Sequence, residues 1–322
     1  MRWTVLHQGA LGDFIVSLPV YQGLHELYPD LKLDFWSHSA HLELVAGAPY
    51  WGAGHPCHGP ELAPFLHDDL WRQAVLPALF QHAAVTLIFG QAASRPLASR
   101  LAARLARPVH WIHSFPPPST PIPVSRYLVD QVRAAGFPIS ASCPLVTPRP
   151  EERAAVEEWL ESQGCRGAPG FVAVHPGSGA LGKVWPLQRW WHAIHWLQER
   201  HLPPLLILGP ADEPLRSLAL AALSRGVRVA EGLPLAQLAA LLAAARFYLG
   251  NDSGVSHLAA AVGIPTIAIF GPRSNRAWHP TGPHCRVVES SWEEAAALPF
   301  DPAAPPGPLE PRVQSALEEL LP

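Results

Sequence analysis

The sequence predicts an α/β protein built from two open, mostly parallel-sheet domains, each an alternation of strands and helices. Three observations carry this. Short β-branched and aromatic runs alternate with segments of helical periodicity along the chain. The 322-residue length is more than one ordinary core requires and fits two. A proline cluster, CPLVTPRP at 143–150, falls where a linker is expected. The boundary is therefore placed near Pro150, giving domains of residues 1–150 and 151–322.

In the first domain, WTVLH (3–7) reads as a buried strand, QGALGD (8–13) as a glycine loop, and the following DFIVSLPVYQGLHELYP as a helix ending by Pro29. KLDFWSH, VTLIFG and PVHWIHSF are further strands, with PLASRLAARLA and VSRYLVDQVRAAG as helices. FPPPSTPIP (115–123) is too rich in proline for regular structure and is expected to be a surface loop.

The second domain opens on the helix EERAAVEEWLESQG, whose early acidic residues suit a helix N-terminus. The strands FVAVHPG, PLLILG, VRVAE, FYLGN and PTIAIFG then alternate with the helices LQRWWHAIHWLQER, EPLRSLALAALS, LAQLAALLAAA and GVSHLAAAVG. Two such domains in succession predict a cleft at the carboxyl ends of their strands, where open sheets bind ligands.

Composition narrows the function. With 48% apolar residues, 15% charged residues and a net charge of -3, the chain is neither disordered nor a basic nucleic-acid binder. Cys57, Cys143, Cys165 and Cys285 are far apart with no Cys-x-x-Cys pair, which fits a reducing compartment. No His-Glu-x-x-His motif or carboxylate cluster signals a metal, so none is expected. Polar residues break up the N-terminus before a signal-peptide core can form. The apolar stretch from Leu233 to Gly250 carries Pro234, Gln237 and Arg246 and reads as a buried helix running into a strand. The expected location is cytoplasmic, with any membrane contact peripheral.

Three motifs carry chemistry. Gly9 and Gly12 follow the first strand and precede a helix, so backbone N–H groups can face a ligand. Asp13 then either caps the helix or stands as a base for a hydroxyl nucleophile. HPGSGALGKVWP (175–186) sets Ser178 and Lys183 in a second glycine loop able to neutralise phosphate, without the spacing of a Walker A loop. NDSGVSHLAAAVGIPTIAIFGP (251–272) places Asp252, Ser253, Gly254 and His257 at the start of a small-residue helix, where Asp252 or Ser253 would cap and free N–H groups could hold an anion or sugar hydroxyls. Glu213, just past a strand, could bind ribose hydroxyls or simply face a helix dipole.

Taken in order, GALGD, HPGSGALGKVWP and NDSGVSHLAAAVGIPTIAIFGP resemble the bacterial heptosyltransferases of glycosyltransferase family nine, over essentially the whole chain. The resemblance implies the GT-B architecture, two Rossmann-like domains facing each other across a cleft, with the last helix returning to the first domain. It implies an ADP-heptose donor, a lipid-linked lipopolysaccharide inner-core acceptor, inversion at the anomeric centre and no cofactor or metal. It also implies peripheral contact with the cytoplasmic face of the inner membrane. By position, Asp13 resembles the catalytic base, and Ser178 and Lys183 the groups holding the donor diphosphate. Glu213 resembles the ribose-binding acid, Leu233 a residue of the adenine pocket, and Asp252, Ser253, Gly254 and His257 the loop that meets heptose and phosphate.

The chain departs from the family pattern in its first domain. His7-Gln8 stands where an arginine is common, and Phe89 where an acid is usual, which leaves the acceptor open. Two alternatives remain at this level: another nucleotide sugar or acceptor on the same fold, or a catalytically idle binding protein.

Overall fold

The computed structural model describes residues 1–117, 122–164, 170–272, 274–292 and 300–321. It contains two compact units, Met1–Thr147 and Pro148–Pro322. The tip of the proline-rich loop expected at 115–123, residues 118–121, lies outside the described residues, as does Cys165.

The first unit runs β1 (Arg2–His7), α1 (Leu11–Leu27), β2 (Lys32–Ser37), α2 (Ser39–Val45), β3 (Trp51–Pro56), α3 (Ala63–Leu66), α4 (Ala78–His82), β4 (Thr86–Gly90), α5 (Arg95–Arg104), β5 (Val109–His113) and α6 (Val124–Ala134). Its strands form one parallel sheet in the order β3-β2-β1-β4-β5. β1 is central and its residues from Trp3 to His7 are all buried, as a strand covered on both faces requires. α1 holds Pro19 in its interior yet stays helical. Tertiary burial of Phe14, Ile15, Leu18, Val20, Tyr21 and Leu24 outweighs the lost hydrogen bond. Gly23 lets the chain at Ile139 come close, because a Cβ there would lie 2.9 Å from that of Ile139.

The second unit runs α7 (Pro150–Ser162), β6 (Val172–His175), α8 (Leu187–Glu199), β7 (Pro204–Leu208), α9 (Arg216–Ser224), β8 (Arg228–Glu231), α10 (Leu235–Ala244), β9 (Phe247–Asn251), α11 (Gly254–Ala261), β10 (Thr266–Phe270), β11 (Cys285–Glu289) and α12 (Pro311–Glu318). Its parallel sheet has the order β11-β10-β9-β6-β7-β8. β6, β7, β9 and β10 are buried along their full lengths. α8 presents Trp190, Trp191, Ile194 and Leu197 to this core, and Trp185 meets Trp190 edge-to-face at 5.3 Å.

Two expectations are corrected here. β3 and β11, both sheet edges, were not expected as strands; neither offers a continuous buried run. The helix expected from Glu213 begins as a 3-10 turn over Glu213–Leu215, and α9 starts at Arg216. The last helix, α12, places Val313, Ala316 and Leu317 in the core of the second unit beside β10 and β11. Among the described residues no helix is long and apolar enough to cross a membrane.

Candidate functional site

In each sheet the strand order reverses once, and open α/β sheets bind ligands at such a point, beyond the strands' carboxyl ends. In the first unit the reversal lies between β1 and β4; in the second, between β6 and β9. The glycine loop after β1 sits at the first. The loop after β6 and the Asn-Asp-Ser-Gly turn after β9 meet at the second.

In the first loop, Ala10 is the N-cap residue of α1 and Asp13 is the third helical residue, from which its carboxylate reaches back to cap the helix start. Its Oδ2 accepts from the Ala10 N–H at 3.1 Å, and the side chain is half-buried. Gly9 is required where it stands: a Cβ there would lie 2.7 Å from the Asp13 Cβ and 2.9 Å from His7 Cε1. His7 Nδ1 in turn accepts from the Gly9 N–H at 3.3 Å. Burial first, then the neighbouring His41 and His38, pushes His7 down to about 3, so the ring is neutral at physiological pH. Phe89 in β4 packs on His7 at 5.6 Å, so the position where the resemblance leads one to expect an acid holds a buried aromatic ring.

In the second unit, Ser178 Oγ donates to the Asp252 carbonyl at 2.6 Å, and Lys183 Nζ lies 3.0 Å from Asp252 Oδ2. The lysine side chain is 54% exposed and the aspartate 13%. These contacts tie the loop after β6 to the turn after β9. Asn251 strengthens the tie, accepting from the Trp185 N–H at 3.2 Å and donating to the Pro176 carbonyl. Ser253 is the N-cap of α11 and accepts from the Ser256 N–H at 3.4 Å, which decides the choice between Asp252 and Ser253. Gly254 opens the helix, whose first N–H groups have no partner within it. His257 is buried one turn in and pushed down to about 4 by burial first and then by the Lys183 charge, while a hydrogen bond to the Trp278 carbonyl opposes the shift. A cation, a hydroxyl and a helix N-terminus gathered in this way suit an anionic ligand.

Beside this loop, Leu208, Gly209, Pro210, Asp212, Glu213 and Arg216 help line a cavity of about 160 Å³ at the ends of β7 and β8. Glu213 is exposed on its wall, and Leu233 directly follows the lining residue Gly232. Asp212, next to Glu213 in sequence, is turned inward instead. It accepts from the Gly209 N–H at 2.7 Å and lies 3.3 Å from His175 Nε2, while Ser253 Oγ is 3.3 Å from His175 Nδ1. A Cβ at Gly177 would fall 2.0 Å from Asp212 Oδ1, so this carboxylate seats the loop after β6. Sequence reading missed Asp212, His175 and Asn251; the available signal was their place at strand ends within motifs already singled out.

The two GALG stretches take different forms. Residues 9–12 lead into α1, whereas residues 179–182 run into a 3-10 turn over Leu181–Lys183, and a Cβ added at Gly179 or Gly182 would meet nothing within 4 Å.

Residues 74–299 match the profile of glycosyltransferase family 9 (heptosyltransferase). The chain belongs to this family. Among curated proteins, it is 28% identical over 298 residues to lipopolysaccharide heptosyltransferase 1 of Pseudomonas aeruginosa, covering 84% of this chain and 79% of that one. It is 25% identical to lipopolysaccharide heptosyltransferase 1 of Salmonella typhimurium, covering 84% and 89%. Among solved structures, E. coli ADP-heptose lps heptosyltransferase II superposes with a TM-score of 0.75 at 20% identity over 100% of this chain and 98% of that one. A family 9 glycosyl transferase from Veillonella parvula gives 0.74 at 18% identity over 90% and 86%. These likenesses speak for the fold, GT-B, with its two parallel-sheet α/β domains. The protein is a glycosyltransferase of the heptosyltransferase family.

Proposed function

We propose that the enzyme transfers heptose from ADP-heptose to a lipid-linked lipopolysaccharide inner-core acceptor, with inversion and without a metal at the diphosphate. The observation that carries this reading is the meeting of Lys183, Ser178 and Asp252 at the N-terminus of α11. That arrangement supplies a half-exposed ammonium, a hydroxyl and helix N–H groups for a diphosphate. The names of the relatives supply the donor and acceptor classes.

In this mechanism Asp13 takes the proton of the acceptor hydroxyl as its oxygen bonds the anomeric carbon. The bond from that carbon to the β-phosphate oxygen breaks, and its electron pair leaves with ADP. Lys183 exchanges its bond to Asp252 for the leaving diphosphate, whose charge grows in the transition state. Ser253 and Gly254 hold the first turn of α11 toward phosphate, and Asp252, once released, is placed for sugar hydroxyls. His257 stays neutral beneath the loop and leaves the lysine's charge uncontested. Glu213 binds the ribose hydroxyls and Leu233 packs on the adenine. The enzyme works in the cytoplasm, touching the inner membrane only peripherally, where its acceptor resides.

Calorimetric titration with ADP, and with UDP and GDP as controls, in the presence of a chelator, tests the donor assignment. Selective ADP binding followed by heptose transfer from ADP-heptose supports it. Preference for another nucleotide would overturn the donor, and binding without transfer to any inner-core acceptor would leave a catalytically idle binding protein.

A further inference from the structure

The first sheet carries, at the ends of β2 and β3, a cluster that plays no part in the proposed transfer. β2 ends at Ser37 and β3 at Pro56, and these two residues are register partners. The Cys57 N–H donates to the Ser37 carbonyl at 2.9 Å, so the residues that follow each strand are held side by side. Those residues are His38 on one strand and Cys57-His58 on the other. One ligand atom from each of His38, Cys57 and His58 lies within 4.8 Å of the other two.

The imidazole orientations are informative. His38 Nε2 is 3.1 Å from the Gln8 carbonyl oxygen, which can only accept, so this nitrogen carries the proton and donates. The lone pair of His38 is thereby left on Nδ1. That atom faces His58 Nε2 at 3.1 Å. A ring nitrogen fixed as a lone-pair donor by a backbone carbonyl on the opposite nitrogen is the usual arrangement of a metal-ligating histidine. The Cys57 side chain is buried beside the pair, and His58 is exposed.

The geometry points to a site for a zinc-class divalent cation bound by His38 Nδ1, His58 Nε2 and the Cys57 thiolate, with a fourth position open to solvent. A tetrahedral zinc with bonds of about 2.0–2.3 Å needs neighbouring ligand atoms roughly 3.3–3.8 Å apart. The two nitrogens already stand close to that spacing, and the sulfur reaches it by a small side-chain adjustment. Two imidazoles and a thiolate select zinc over magnesium or calcium, which take oxygen ligands. On binding, the Cys57 S–H bond breaks, its electron pair is shared with the ion and the proton passes to solvent. Through His38 and Gln8 the ion would tie the ends of β2 and β3 to the glycine loop that carries Asp13. The inference does not depend on the identity of the transferred sugar.

The test is zinc titration of the purified metal-free protein against a chromophoric chelator, with magnesium and calcium as controls. It is paired with the absorption spectrum of the cobalt-loaded protein. One zinc per chain is expected, with affinity falling in Cys57→Ser and in His38→Gln by at least the roughly 10- to 100-fold that loss of an outer-shell partner costs, and unchanged in Cys143→Ser, which removes an exposed cysteine. The cobalt-loaded wild type should show a thiolate-to-metal charge-transfer band that Cys57→Ser lacks. Absence of stoichiometric zinc binding, absence of that band in the wild type, or zinc affinity unaltered in Cys57→Ser would each overturn the site. The wild-type spectrum decides the matter even if a variant fails to fold.

Discussion

The Lys183 ammonium lies 3.0 Å from the Asp252 carboxylate, although the two residues come from loops after different strands. The pair stands where the strand order of the second sheet reverses, and its exposure keeps the lysine available to an incoming anion. As a half-exposed pair it contributes at most about 1 kcal/mol to stability. Lys183→Ala is therefore expected to melt within a degree or two of the wild type. Its turnover should fall about 100- to 1,000-fold, with weaker ADP-heptose binding, because the lysine meets charge in the ground state and more of it in the transition state. Steady-state kinetics with donor titration checks this, and an unchanged rate would return Lys183 to an ordinary surface role.

Asp13 has a different signature. If it removes the acceptor proton, Asp13→Asn keeps the shape of the loop and the donor affinity while turnover drops on the order of 100- to 10,000-fold. Calorimetry with ADP should give the wild-type affinity. Loss of donor binding in this variant would assign Asp13 a structural role instead.

Gly9 is expected to matter through Asp13. A methyl group at this position would lie 2.7 Å from the Asp13 Cβ and 2.8 Å from its Oδ2. Gly9→Ala must then push the carboxylate aside, and the expected result is a large fall in kcat with donor affinity kept. Gly179→Ala serves as the control, because nothing lies within 4 Å of that position. Equal effects of the two substitutions would show that the loop is not held as described.

How much of this was legible in the sequence depends on the distance over which each feature is specified. β1, β4, β6, β7, β9 and β10 are short apolar runs and announce themselves. β3, with Gly52, Gly54 and Pro56 in six residues, has no such pattern and is a strand only because Leu33 to Ser37 offer it a partner. The helix start at Ser253 was legible because cap and helix are contiguous. The Lys183–Asp252 pair was not, since it follows from β6 lying next to β9. The same holds for His38 and Cys57-His58, which the register of β2 on β3 brings together. Even identical letters divide on context: GALG before Asp13 starts a long buried helix, and GALG before Lys183 makes one exposed 3-10 turn.

Asp212 and Glu213 are adjacent but should fail differently. Asp212 is buried, accepts from the Gly209 N–H and packs against Gly177 and His175. Asp212→Ala strands those donors and is expected to cost about 1–3 kcal/mol of stability, with activity lost through the displaced loop. Glu213 is exposed on the cavity wall, so Glu213→Ala should leave the melting temperature unchanged and raise KM for the donor. Paired thermal melts and donor titrations separate the two. A destabilised Glu213→Ala with an unaltered KM would make that residue structural.

His257 sets a pH dependence whose sign follows from its burial. Its ordinary value of 6.5 applies in the unfolded chain, and the folded protein lowers it to about 4. Between these values the unfolded state holds a proton that the native state lacks, so protons favour unfolding. The stabilising effect of keeping this ring neutral is complete above about 6.5 and is lost as pH falls toward 4. Its size is on the order of 3 kcal/mol, at about 1.4 kcal/mol per pH unit of displacement. Urea unfolding of the wild type at several pH values across this window should therefore show stability declining with acid. His257→Gln, which cannot titrate, should show a shallower decline whatever its absolute stability, because the slope counts protons rather than contacts. Equal slopes for the two proteins would mean that His257 takes up its proton in the fold as readily as in the unfolded chain, and so becomes charged beside Lys183 as the pH falls through this window.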